Sequence, residues 1–123
     1  MIDKHPAVIA RCAGAADVIQ AVRVSKEENL TPAFRVGGHN VAGHAASDGG
    51  LIIDLSTMTH VDLDPERKTM RAGGGATWQM VDHEAQLFGL AVPGGVVSTT
   101  GIGGLTLGGG YGYLRRKYGY NLR

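Results

Sequence analysis

Apolar residues near the start of the chain recur first as a strand, then as a helix, then as a strand. Ala7 to Cys12 is a short apolar run with β-branched residues and predicts a strand. From Ala15 to Glu28 the apolar positions Ala15, Val18, Ile19 and Val22 fall on one helical stripe, with Asp17, Gln20, Arg23 and Lys26 elsewhere. Pro32 stops that helix, and Ala33 to Val36 predicts a second strand. Strand, helix and strand over this length make a βαβ unit. Leu51 to Leu55 is a near-continuous apolar run and predicts a buried strand. Val61–Leu63 and Thr69–Ala72 flank Asp64-Pro65-Glu66-Arg67, which reads as a hairpin turn. Thr77 is placed to cap a helix running to Phe88, with Trp78, Val81, Ala85 and Phe88 as its stripe and Gly89 as its C-terminal stop. From there to Gly112 the residues read as loop, and Tyr113 to Arg123 as a basic, aromatic end.

Composition narrows the classes. At 123 residues the chain is one domain's worth. Twelve Lys and Arg against eleven Asp and Glu leave a net charge of +1, which gives no electrostatic reason for a nucleic-acid or anionic-membrane partner. One cysteine, Cys12, excludes an intramolecular disulfide framework and a Cys-rich metal site, and reads as a small core residue. The start lacks the apolar segment of a signal peptide, so a cytoplasmic location is expected. Glycine is the outlier, with 20 residues, of which only Gly14 precedes Gly37. No charged residue occurs from Ala85 to Leu114, yet the glycines and Pro93 there break any membrane-spanning helix. Such a stretch reads as backbone packed closely against something.

Two segments carry chemistry. In Arg35-Val36-Gly37-Gly38-His39-Asn40 a strand runs into paired glycines and one imidazole. Successive bare N–H groups of this kind form a nest for an anion, typically a phosphate. The second runs from Pro93-Gly94-Gly95 through Ser98-Thr99-Thr100-Gly101-Ile102-Gly103-Gly104 to Gly108-Gly109-Gly110-Tyr111-Gly112. It holds no lysine, so it is not a Walker A loop, and Thr106 stands where a Rossmann fingerprint needs its third glycine. A large ligand with a pyrophosphate and a flat ring would suit it. His39 and His44 have no sensibly spaced third ligand, so no metal site is expected.

These segments, with Leu51-Ile52-Ile53-Asp54-Leu55-Ser56 and Arg116-Lys117-Tyr118-Gly119, resemble in order and spacing the FAD-linked oxidases of the vanillyl-alcohol-oxidase type. The branch is the one similar to berberine bridge enzyme and 6-hydroxynicotine oxidases. The resemblance covers Ala7 to about Gly119. It implies an α+β fold: part of an FAD-binding domain of the PCMH type, small sheets flanked by helices, over residues 1–123. It implies FAD as cofactor, with His39 joined covalently to the flavin 8α-methyl. Gly37, Gly38, Asn40 and Val41 would lie along the pyrophosphate, with Arg35, Val36 and Gly43 beside them. Thr99, Thr100, Gly101, Gly103 and Gly104 would close from the other side, followed by Gly109 and Gly110.

The departures also inform. Some relatives add a second bond through a cysteine where this chain has Val97, so a single linkage is expected. Val36 stands where a small residue is usual. Relatives continue well past the counterpart of Gly119 and precede that of Met1, so a truncated flavin domain without substrate domain or catalytic base is expected. The implied parent oxidises an alcohol, sugar or amine C–H of a small-molecule substrate by hydride transfer to flavin N5, with dioxygen as acceptor. The alternatives are a non-catalytic remnant and a nucleotide-binding module without redox activity. Self-association through an uncovered sheet edge is a further expectation.

Overall fold

The structure is a computed structural model and describes residues 2–120. Asn121-Leu122-Arg123, part of the expected basic end, lie outside the described residues. The first layer is a βαβ unit extended by one strand. Strand β1 (Val8–Arg11) leads into helix α1 (Ala15–Glu27), then β2 (Pro32–Arg35), and β3 (Leu51–Asp54) inserts between them. All three strands are parallel, and Arg11, Asp54 and Arg35 share the last register position. The central strand β3 is buried throughout, as its unbroken apolar sequence requires.

Local chemistry sets the ends of α1. The Asp17 carboxylate accepts the backbone N–H groups of Ala13 (2.8 Å) and Gly14 (3.2 Å), holding the first turn. The helix does not wait for Pro32 to stop. Asn29 adopts φ 52°, and the Leu30 N–H returns 2.8 Å to the Ser25 carbonyl. Pro32 instead opens β2, which ends at Arg35, one residue short of the expected strand. Cys12, Ala21, Leu51 and Ile53 form the core under α1, with Val18 and Val22 packed on it. Ile19, counted on the apolar stripe, is 52% exposed: it lies beside that core rather than over it.

The second layer is the hairpin of β4 (Val61–Asp64) and β5 (Thr69–Ala72), with α2 (Trp78–Gln86) packed on β4. The Asp64 carboxylate accepts the Arg67 N–H at 2.9 Å, and Lys68 takes φ 53° to complete the turn. Gly89, at φ 64°, follows α2 as expected, but the helix ends at Gln86 rather than Phe88, which is 54% exposed and outside the core. Thr77 occupies the N-cap position, but its hydroxyl caps nothing. The Trp78 and Gln79 N–H groups instead donate to the Thr100 (3.1 Å) and Ser98 (2.9 Å) carbonyls. Buried Trp78 lies over Gly94 and Gly95, where any side chain would collide with its indole.

The expected loop to Gly112 contains helix α3 (Ile102–Gly108), and the basic end holds the short exposed helix α4 (Arg115–Tyr118). Three glycines in α3 oppose helix formation in an isolated chain. Tertiary bonds overcome that preference: Ile102 N–H donates to the Ala76 carbonyl at 2.9 Å, and Gly101 bridges to Thr77. Among the described residues no helix is long and apolar enough to cross a membrane.

Candidate functional site

The carboxyl end of β2 and the loop before α3 meet backbone to backbone. A Cβ at Gly37 would stand 2.7 Å from the Gly101 amide nitrogen and 2.8 Å from the Thr99 carbonyl oxygen. A Cβ at Gly101 would stand 2.8 Å from the Gly37 nitrogen and would also strike the Val36 side chain. Only glycine permits this approach from either side. The 98–100 segment is itself fixed by the first N–H groups of α2, so the second layer holds one wall of the site and β2 holds the other.

Between the walls lies a cleft of about 340 Å³. Val36, Gly37, Gly38, His39, Asn40 and Val41 form one side; Thr100, Gly101, Gly104 and Gly109 form the other. Ala45, Leu105 and Gly108 complete it, and none of the three was assigned to the cofactor site from sequence. Leu105 and Gly108 come from α3, whose helical spacing was unreadable without the tertiary bonds that form it. No described lining residue is charged. The backbone N–H groups of residues 37–41 have no acceptor among the described residues. Gly38 turns at φ 71°, a conformation glycine adopts without cost.

The remaining sequence candidates flank the cleft. Arg35 ends β2, with its guanidinium 3.5 Å from where a Gly38 Cβ would be. Gly43 (φ 78°) lies behind the loop against Ile2, and its carbonyl accepts the Lys4 ammonium at 3.1 Å. Gly103 is pressed against the Gly74 carbonyl, and Gly110 against Leu105. Thr99 sits on the rim, its hydroxyl oxygen 3.1 Å from Nε2 of the exposed His39. The Asn40 side chain is occupied locally, accepting the His44 N–H at 3.1 Å.

In register with Arg35 and Arg11, buried Asp54 ends β3. Burial pushes its carboxyl up, but the Ser56 amide and hydroxyl, then Arg11 and Arg35, outweigh this and hold it below the usual carboxylate value. Ser56 N–H donates to it at 3.0 Å. Burial, with Asp17 and Asp54 nearby, pushes the Cys12 thiol up, which suits a core residue and not a nucleophile.

Residues 6–121 match the FAD binding domain family. The chain belongs to that family. It is 40% identical over 116 residues to (R)-6-hydroxynicotine oxidase of Paenarthrobacter nicotinovorans, covering 94% of this chain and 25% of that protein. It is 42% identical over 103 residues to an FAD-linked oxidoreductase of Dictyostelium discoideum, covering 84% of this chain and 22% of that protein. The crystal structure of 6-hydroxy-D-nicotine oxidase from Arthrobacter nicotinovorans superposes with a TM-score of 0.93 at 40% identity, over 96% of this chain and 26% of that one. The resemblance to FAD-linked oxidases and the α+β flavin-domain fold are thereby borne out. The chain spans about a quarter of the length of these relatives. FAD is the cofactor of the family, and the cleft fits such a group: bare glycine walls, free amides and no fixed charge to repel a diphosphate.

Proposed function

We propose that this chain is the part of an FAD-dependent oxidoreductase that holds the cofactor, in the cleft between the His39 loop and α3. The observation that carries this reading is the contact of Gly37 with Gly101, which joins two distant glycine-rich segments into one cleft with His39 at its rim. The amides of Gly37, Gly38, Asn40 and Val41 face the pyrophosphate in this reading, and Thr100, Gly101, Gly104 and Gly109 supply the opposite wall. Amide donors suffice for the diphosphate because the lining carries no acidic residue. His39 is the point of covalent attachment, and Val97 leaves no second one.

When bound, FAD supplies a two-electron acceptor for a substrate C–H beside a hydroxyl or amine, with dioxygen as the final oxidant. The protein's part in this chain is to bind, orient and tether. In a protein that also carries a substrate domain, the substrate is a small alcohol, sugar or amine. The outer edges of both sheets are unpaired among the described residues, and we infer that the chain alone associates through them. Sedimentation equilibrium giving only the 12.9 kDa monomer would remove that inference.

Acid precipitation after loading with FAD tests the cofactor reading. Yellow colour in the pellet is expected for the native chain, and colour in the supernatant for His39→Ala. Flavin that stays in the pellet of His39→Ala sinks the assignment of His39.

A further inference from the structure

The His39 ring makes one hydrogen-bond contact and packs beside a bare Cα. Nε2 lies 3.1 Å from the Thr99 hydroxyl oxygen, across 60 residues of sequence. On the same side of the ring, Cδ2 comes within 3.2 Å of where a Gly37 Cβ would stand, and the Thr99 carbonyl oxygen within 2.8 Å of it. The ring and the Thr99 backbone therefore share the space left by one bare Cα. Nδ1 has no hydrogen-bond partner among the described residues.

From this geometry we propose that Thr99 is a positioning residue for flavin attachment: it holds Nε2 of His39 and leaves Nδ1 as the nitrogen that bonds the flavin 8α carbon. The proposal rests on the covalent reading given above. A neutral imidazole carries one N–H and one lone pair. With the Nε2–H donating to Thr99 Oγ1, the lone pair resides on Nδ1. Attachment exchanges one C–H bond of the 8α-methyl for a C–N bond to Nδ1. The electron pair of the broken C–H bond, the methyl proton and the Nε2 proton pass to dioxygen, which leaves as hydrogen peroxide. Once attached, Nε2 holds a lone pair and needs a donor. A hydroxyl serves both stages, accepting before attachment and donating after it. Serine retains this capacity; valine, of the same shape as threonine, has neither function.

Two measurements on the full chain test the proposal. The first uses no flavin: the ring nitrogen shifts of His39, read by NMR at alkaline pH, report which nitrogen bears hydrogen. The Nε2–H form is expected in the native chain and in Thr99→Ser, and a mixture in Thr99→Val. The second incubates each protein with FAD in air and locates the linkage in the isolated flavin peptide. Linkage at Nδ1 is expected, with attachment about tenfold slower in Thr99→Val, the weight of one hydrogen bond to a group that gains charge, and near native in Thr99→Ser. A native chain in the Nδ1–H form, or linkage through Nε2, overturns the role of Thr99 and leaves the covalent reading intact. The Nε2–H form with no attached flavin overturns the covalent reading and the attachment role with it.

Discussion

A methyl group placed at Gly37 would lie 2.7 Å from the Gly101 nitrogen, whereas one at Gly104 would meet no protein atom within 4 Å. Both glycines line the cleft, so the two substitutions separate packing from binding. Gly37→Ala forces the two walls apart and is expected to destabilise the fold by about 1–3 kcal/mol, read from urea midpoints. Gly104→Ala removes a glycine from a helix interior and is expected to stabilise the chain by about 0.5–1 kcal/mol. The new methyl would project into the cleft, so the same variant should bind FAD more weakly in a fluorescence titration. Unchanged FAD affinity in Gly104→Ala would take α3 out of the cofactor wall. Among the described residues nothing explains a bare Cα at Gly104, and sequence alone could not separate it from Gly37: both read as one more glycine in a glycine-rich segment.

At the scale of elements, strong periodicity was legible and weak propensity was not. The span of α1, the apolar run of β3 and the Asp64-Pro65 turn all appear close to where the pattern put them, because local and tertiary preferences agree there, although the buried face of α1 centres on Ala21 and Ser25 and leaves Ala15 and Ile19 exposed. Helix α3 was hidden because Gly103, Gly104 and Gly108 argue against it, and the bonds from Ala76 and Thr77 that form it come from elsewhere in the chain. The cleft was half legible. The two glycine-rich segments announce backbone donors, but their contact depends on α2 presenting its first N–H groups to the 98–100 carbonyls. The end of β3 adds a prediction at this scale. Asp54 has its carboxyl held below the ordinary value by Ser56, Arg11 and Arg35 against the cost of burial, so the folded state favours the charged form. That contribution is complete above the ordinary aspartate range near about pH 4 and is lost as pH falls through the lowered folded value. Asp54→Asn should therefore be less stable at neutral pH by on the order of 1 kcal/mol, and should lose less stability than the native chain on acidification. Urea midpoints at about pH 6 and about pH 3 measure this, and parallel losses in the two proteins would exclude Asp54 as an acid-sensitive tie.

For the whole molecule, the cleft matters because of what it joins. One wall belongs to the β1–β3–β2 layer with its own core under α1; the other is tied to α2 and the β4–β5 hairpin. A two-stranded sheet is marginal by itself, so the second layer depends on α2 and on the glycine contacts for its place. A ligand that touches both walls binds the folded state and has no site on the unfolded chain. Linkage then requires FAD to raise stability by about 2.7 kcal/mol when present at a hundred times its dissociation constant. For a domain of this size that corresponds to a shift in Tm of roughly 10 °C or more. Because both layers supply contacts, the shift should appear as one transition moving upward rather than as two separating. Calorimetry with and without FAD reads both features. A second transition that stays fixed while the first rises would mean that only one wall meets the cofactor, and the unmoved layer would identify which wall to discard.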